Sequence, residues 1–327
     1  MTGRVHPGFQ PAQLDELLSR WGLSSASARP LREGEVKLSW AIDRPASLLH
    51  VYPPSVPLAA VQQEIAWTEA MRPAIKEIPE PIGSSRGRLV ESTPDGCAAV
   101  LRRFIDGHPP DETDETRASM ADLLGRIHRE AARLGLGDEA WFSSLRRFDW
   151  ASNPWWDLQS VAALETTHPE VGAARRQLQK VPELLDRLGG LPQCLIHNDF
   201  HRGNLIARGS AIVGVVDWDW ATIDWRILDV AAGMRSWMLR PGLVGCAAAV
   251  DFVDRYSRSV GDFSPAERGY LPDALWLRSL WTVFYDLGRA VNGDLDAESL
   301  EYRLDNHQQL QEVLPGLRAA LADRSGP

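Results

Sequence analysis

His197, Asp199 and Asn204 lie within eight residues in the stretch Cys194-Leu195-Ile196-His197-Asn198-Asp199-Phe200-His201-Arg202-Gly203-Asn204-Leu205-Ile206, and Asp217 and Asp219 follow in Gly214-Val215-Val216-Asp217-Trp218-Asp219. The pattern reads as a short apolar strand, a polar loop, a second apolar strand and a third that ends in paired carboxylates. Two acids and an amide thus meet at strand ends. Phosphoryl transfer needs such a set: one carboxylate orients an attacking hydroxyl and accepts its proton, while an amide oxygen and a second carboxylate hold Mg²⁺ on nucleotide phosphates. Another chemistry is open to the same loop. His197, Asp199 and His201 form H-x-D-x-H, which could ligate the metal of a hydrolase, although the other six histidines stand isolated.

The flanking chain supplies elements to position these groups. Residues 11–21 carry Leu14, Leu17, Leu18 and Trp21 at helical spacing, and residues 31–43 and 47–52 read as strands parted by Arg44, Pro45 and Ala46. Gly34 stands where a turn would tip over a ligand, between Glu33 and Glu35. Residues 58–71 read as a helix holding Glu64, and strands follow at 89–92 and 98–105 before Asp106-Gly107-His108-Pro109-Pro110 ends them. From Ser119 the period becomes helical, with Met120, Leu123, Leu124, Ile127 and Ala131 on one face. Further helices are expected at 171–188, 227–238, 242–259, 265–291 and 297–322, and the pieces around 194–217 are the only later strand signal. The expected architecture is α+β, with a small antiparallel sheet in a domain at 1–105 and a large, mainly helical domain at 106–327.

Composition bounds the rest. The 327 residues, 44% hydrophobic and 24% charged, describe a soluble globular chain, and 44 acidic against 35 basic residues give a net charge of −9. That balance argues against a nucleic-acid partner, because phosphate backbones are bound with Lys and Arg. It leans toward a cationic acceptor. Cys97, Cys194 and Cys246 are scattered without metal-ligand spacing and read as packing residues. The amino terminus has no apolar run of signal-peptide type, and no stretch approaches the roughly 18 apolar residues of a membrane span. A cytoplasmic protein without a membrane partner is expected, and its oligomeric state is not legible.

The spacing His197-x-Asp199-x-x-x-x-Asn204, with Asp217 thirteen residues beyond Asn204 at the end of an apolar strand, resembles the signature of the aminoglycoside phosphotransferase and choline kinase superfamily. HNDFHRGNL is similar to that family's H-G-D-x-H-x-x-N loop and VVDWD to its I-D-[FW]-[DE] motif. The resemblance implies a bilobal protein-kinase-like fold and transfer of the γ-phosphate of ATP, with Mg²⁺, to a hydroxyl of a small molecule such as an amino sugar or amino alcohol. It makes Asp199 the catalytic base or hydroxyl orienter, has His197 brace the loop, and assigns Asn204 and Asp217 to the metal, which Asp219, two residues further on, could also reach unless it faces solvent. Asp229 would tie the loop to the helix that follows.

In the amino-terminal half, Glu64 resembles the helix glutamate that pairs with a strand lysine on the α- and β-phosphates, and Arg103, Phe104 and Ile105 fall at the hinge that meets adenine. The strand should carry Lys near position 50, where this chain has His50, and the only lysines are Lys37, Lys76 and Lys180. Three substitutes are open, His50 as a pH-dependent cation, Lys37 reaching in from the preceding strand, or Arg44 or another arginine, and they are not equivalent at phosphate. A nucleotide-binding module without turnover is the alternative this departure allows. Two further features bear on the acceptor: Trp155 or Trp156 could line its pocket, and Asp286, Asp294, Asp296, Glu298 and Glu301 form an acidic run that either holds a cation or is a solvated helix face.

Overall fold

The protein is described by a computed structural model covering residues 11–23, 28–31, 37–43, 45–136, 144–151, 153, 155–240, 243, 244 and 246–323. Gly34, Glu33, Glu35, Arg44 and Pro154 lie outside the described residues. The elements run α1 (Pro11–Ser19), β1 (Ala28–Leu31), β2 (Leu38–Ile42), β3 (Ser47–Val51), α2 (Leu58–Met71), β4 (Glu91–Ser92), β5 (Ala98–Arg103) and α3 (Asp114–Leu134). There follow α4 (Leu158–Ala162), α5 (Pro169–Gln177), α6 (Val181–Leu188), β6 (Gln193–Ile196), β7 (Leu205–Arg208), β8 (Ala211–Val215) and β9 (Thr222–Trp225). The chain continues through α7 (Ile227–Met238), β10 (Leu239–Arg240), β11 (Leu243–Val244), α8 (Cys246–Val260), α9 (Pro265–Val291) and α10 (Ala297–Asp323). Contacts group these into two compact units, residues 1–111 with 203–221 and residues 112–202 with 222–327.

The first unit is built on an antiparallel sheet of order β1-β2-β3-β5-β4. Side chains alternate faces along each strand, so the register decides what each face holds. Trp40 pairs with Leu49 and Leu49 with Leu101; this face, with Ile42, Val51 and Ala99, packs against Leu17 and Leu18 of α1. Ser39 pairs with His50, His50 with Val100, and Leu48 with Arg102, and Val100 on this opposite face packs with Val61 and Ile65 of α2. Lys37, two residues before Ser39, continues the second face. Residues 203–221 join this unit through the β7–β8 hairpin, whose Ala207 exchanges two backbone hydrogen bonds with His108, at 3.0 and 2.8 Å. Gly107 permits the approach, since a Cβ there would stand 2.5 Å from the Ala207 carbonyl oxygen.

The second unit is helical around the β6–β9 pair. Helix α3 begins at Asp114, five residues before the apolar periodicity, because the Thr113 hydroxyl caps it by accepting from the Thr116 N–H at 3.1 Å and two acids occupy the first turn. The single helix expected at 171–188 is two, α5 and α6, joined by a 3₁₀ turn at Leu178–Lys180. Strand β9 and the β10–β11 pair add to the later strand signal. Trp156 is buried among Phe148, Trp150, Trp281 and Phe284 at centroid distances of 5.0, 6.2, 6.2 and 5.7 Å. Asp286 is not on a solvated face: at 2% exposure it turns inward toward Arg289 and Arg303. Among the described residues no helix is long and apolar enough to cross a membrane.

Candidate active site

In the first unit, strand alternation and the β7–β8 hairpin gather polar groups around a cavity of about 360 Å³. Its lining includes Lys37, His50, Glu64, Arg103, Phe104 and Ile105, together with Asn204 and Asp217. A volume of this order falls in the range of small-ligand pockets. Lys37 extends its Nζ to Asp217 Oδ1 at 2.6 Å and Asp219 Oδ1 at 2.7 Å, and lies 5.5 Å from the centroid of the Tyr52 ring. Although burial pulls it down, the Asp219 and Asp217 carboxylates hold the Lys37 ammonium well above the ordinary lysine range.

Glu64 has a different cation from any expected near position 50. Its Oε1 accepts from Arg102 Nη2, and its Oε2 accepts from the Tyr52 hydroxyl at 2.8 Å. Arg102 is buried on β5, where its guanidinium stays charged beside Glu64. His50 shares the cavity but not the charge. Burial first, then the cations Lys37 and Arg102, depress its pKa well below the ordinary imidazole value, and its Nδ1 lies 2.9 Å from the Ser39 hydroxyl. At the hinge the Arg103 N–H donates to the Glu80 carbonyl at 2.8 Å and the Phe104 N–H to that of Ala46 at 3.1 Å. Those two donors are used within the protein and do not serve a base edge.

Asp217 adopts a left-handed backbone, φ 68°, which Asp tolerates better than most residues and which ends β8 abruptly. Beside it, burial pushes the Asp219 carboxyl up to about 7; the Lys37 ammonium pulls it down, and the Asp217 and Glu64 charges push it further up. Three carboxylates thus face two cations. The amide of Asn204 and the carboxylates of Asp217 and Asp219 are hard oxygen donors, and a divalent cation bound there would offset the burial and the neighbouring negative charge that raise Asp219. These residues fit Mg²⁺.

In the second unit the loop after β6 is held from below. Asp229, fully buried at the start of α7, accepts the His197 N–H on Oδ2 at 2.7 Å and the Asn198 N–H on Oδ1 at 2.8 Å. His128 Nε2 meets Asp229 Oδ2 at 3.2 Å, and His128 Nδ1 lies 2.8 Å from the Tyr256 hydroxyl. Asn198 is left-handed, φ 62°, and its side-chain oxygen accepts from Arg278 Nη1 at 2.7 Å. His197, fully buried, accepts the Asp199 N–H on Nδ1 at 3.3 Å. The Asp199 carboxylate is 36% exposed, with His201 Nε2 3.3 Å from one oxygen and Arg278 Nη2 4.0 Å from the other. Burial would raise its pKa, but the hydrogen bond and charge of His201, then Arg278 and His197, hold it at about 2. Asp199 is therefore an ionised acceptor at neutral pH.

Among the described residues no group of three or more His, Cys, Asp or Glu could hold a metal by itself, so the hydrolase reading of His197, Asp199 and His201 finds no ligand set. Sequence reasoning missed Arg102, Tyr52, Asn198, Arg278 and His128. Arg102 was within reach, since strand alternation from Arg102 through the Leu48 and His50 positions puts it on the Glu64 face. Arg278 lies 80 residues from Asn198 and has no local signal.

A model of the phosphotransferase enzyme family matches residues 28–269. A homoserine kinase of Beijerinckia indica subsp. indica is 28% identical over 181 residues, which are 50% of this chain and 49% of that protein. The chain spans about half the length of the first curated relatives it matches. A microcompartment-associated aminopropanol kinase has a similar fold, with TM-score 0.74 and 18% identity over 95% of this chain and 100% of that one. An amicoumacin kinase in complex with AMP-PNP, Ca²⁺ and Ami has TM-score 0.65 and 17% identity over 99% of this chain and 97% of that one. At these identities the likeness is one of fold, α+β and kinase-like.

Proposed function

The chain belongs to the phosphotransferase enzyme family, and from that premise we propose that it transfers the γ-phosphoryl group of ATP, with Mg²⁺, to a hydroxyl of a small molecule. The observation that carries this reading is the cavity of the first unit, where Lys37 stands between the Asp217 and Asp219 carboxylates with Asn204 also in the lining. The relative complexed with AMP-PNP supports a nucleotide triphosphate as donor.

Each residue has a task its surroundings suit. Lys37 exchanges a carboxylate for phosphate oxygens when the nucleotide enters, and the Arg102–Glu64–Tyr52 chain fixes the floor beside it. Ile105, whose neighbours Arg103 and Phe104 have spent their N–H groups, is the hinge residue left to meet the base. Mg²⁺ at Asn204, Asp217 and Asp219 would neutralise charge on the β- and γ-phosphates. Asp199 accepts the acceptor's O–H hydrogen bond and aims the oxygen at the γ-phosphorus. As that P–O bond forms, the bond to the β-phosphate oxygen breaks and its electrons leave with ADP. The hydroxyl proton passes to Asp199 late, consistent with a carboxylate held at about 2, and from there to water.

The test is ADP release over hydroxylated amines, sugars and amino acids. Asp199→Ala is expected to lower turnover about 10²–10⁴-fold with the fold intact, and full activity in that variant sinks the assignment. A second reading, nucleotide binding without turnover, is favoured by His50 standing where the family's lysine is expected. Nucleotide binding with no ADP release for any acceptor would support it.

A further inference from the structure

Two helices grip Asn198, the residue before Asp199. Its N–H donates to Asp229 Oδ1 of α7 at 2.8 Å, and its side-chain oxygen accepts from Arg278 Nη1 of α9 at 2.7 Å. Helices α7 and α9 pack against each other, so the two holds belong to one frame. The left-handed backbone at φ 62° separates the N–H from the side chain in this way, and asparagine adopts it at less cost than most residues. Both partners are shielded: Asn198 is 7% exposed and the Arg278 side chain 15%.

The other arm of the same guanidinium ends beside the Asp199 carboxylate without bonding it. Arg278 Nη2 stands 4.0 Å from Oδ1, beyond hydrogen-bond range, whereas His201 Nε2 lies 3.3 Å from Oδ2. An arginine next to a carboxylate ordinarily closes on it at about 2.7–2.9 Å. Here it stops short, and the bond that holds it back is the one to Asn198. The adjoining turn of α9 is fixed as well, because the Ser279 hydroxyl lies 2.7 Å from His307 Nδ1 of α10.

That distance decides what the cation does. Coulomb attraction falls only as the inverse of distance, so the charge still acts at 4.0 Å. Against burial, which pushes the other way, His201 and then Arg278 and His197 hold the carboxyl at about 2. A direct hydrogen bond would instead occupy an oxygen that a hydroxyl donor needs and draw the carboxylate toward α9. A guanidinium suits the task because its two terminal nitrogens diverge, one toward Asn198 and one toward Asp199. The single nitrogen of a lysine could not serve both.

We propose that Asn198 and Arg278 form a spacer that positions Asp199: Asn198 holds the guanidinium near enough for its charge to act on the carboxylate and too far to occupy it. This rests on the kinase reading above and adds two positioning residues to it.

Suppression of one variant by another tests the spacer. Asn198→Gly keeps the backbone N–H for Asp229 and tolerates φ 62°, so it removes the restraint alone. Arg278 is then expected to close on Asp199, and kcat to fall about 10–100-fold. Neither residue is among those lining the cavity of the first unit, so KM for ATP should stay within about twofold of wild type. Adding Arg278→Met to Asn198→Gly removes the intruding cation, and the double variant should turn over faster than Asn198→Gly, at the rate of Arg278→Met alone. Two residues that merely support the loop would give losses that add. Melting curves establish that each variant folds. Undiminished kcat in Asn198→Gly, or a double variant no faster than Asn198→Gly, overturns the proposal while upholding the kinase. If the wild type releases no ADP with any acceptor, a crystal structure of Asn198→Gly decides. Arg278 closed to about 3 Å from Asp199 upholds the spacer without the kinase reading, and Arg278 still about 4 Å away defeats it.

Discussion

Asp229→Asn should uncouple the loop that carries Asp199 from the helical unit beneath it. Three donors converge on the Asp229 carboxylate: the His197 N–H at 2.7 Å and His128 Nε2 at 3.2 Å on Oδ2, and the Asn198 N–H at 2.8 Å on Oδ1. Asparagine offers one oxygen and one NH₂ group in the same volume, so whichever way it turns, an NH₂ faces an N–H. With the amide oxygen kept toward His197 and His128, Asn198 loses its acceptor, and an unsatisfied buried donor costs about 1–3 kcal/mol. The two remaining hydrogen bonds change from charge-assisted to neutral, which costs about 1 kcal/mol each. The total, about 3–5 kcal/mol, is a large part of the roughly 5–15 kcal/mol that stabilises a domain. Urea unfolding followed by tryptophan fluorescence measures it, since Trp225 and Trp237 lie buried in this unit. The same slackening should move the Asp199 oxygen, and a displacement near 1 Å can cost about 100-fold in kcat. A variant within about 1 kcal/mol of wild type would refute the clamp, and loss of stability with undiminished kcat would refute its link to Asp199.

Lys37→Met should raise the KM for ATP about 10–100-fold, the value of a lost charge-assisted contact, whereas His50→Asn should change it less than about threefold. Steady-state kinetics at varied ATP checks this, and a larger effect at His50 would reverse the assignment of the phosphate-gripping cation. Asp224, fully buried on β9, titrates at about 6 because burial outweighs its hydrogen bonds from the Trp225 and Leu145 N–H groups, at 2.8 and 2.7 Å. Its folded pKa exceeds the unfolded value, so the stability it contributes is complete below about pH 4 and is lost as pH rises through 6, by about 3 kcal/mol. A ¹³C-carboxyl titration should find a group near 6 in the folded protein, and an Asp224 resonance that titrates at 4 or lower contradicts this.

Elements whose signal is local were legible. Helices α2, α7 and α9 fall at the expected residues because each carries its apolar spacing and its own stop, and the loop from His197 to Asn204 was visible because its polar residues interrupt two apolar strands. What failed depends on pairing. Strand β9 is four residues long and exists because β6 pairs with it, Ile196 opposite Thr222 and Gln193 opposite Trp225. The inward turn of Asp286 depends on Arg289 one turn on and Arg303 from the next helix, and no window around the acid run reveals that second partner. Asn198 reads in sequence as a loop residue, and its work follows from a left-handed backbone that sends its N–H to Asp229 and its oxygen to Arg278.

The missing lysine near position 50 has a physical resolution in the register of the sheet. Residues that share a face alternate along each strand, and pairing carries that face across strands: Ser39 opposite His50, His50 opposite Val100, Leu48 opposite Arg102. Lys37, His50 and Arg102 are therefore neighbours on one surface although 65 residues separate the first from the last. Two jobs that the family resemblance assigns to one lysine are divided here. Arg102 neutralises Glu64, and Lys37 meets the acidic end of β8. Burial first, and then the cations on both flanks, hold His50 neutral, since a third charge on that face would be desolvated and would repel the other two. A lysine restored at position 50 would accordingly compete with Arg102 for Glu64 rather than strengthen the grip, and only its combination with a neutral residue at position 102 returns the face to a single cation beside the helix glutamate.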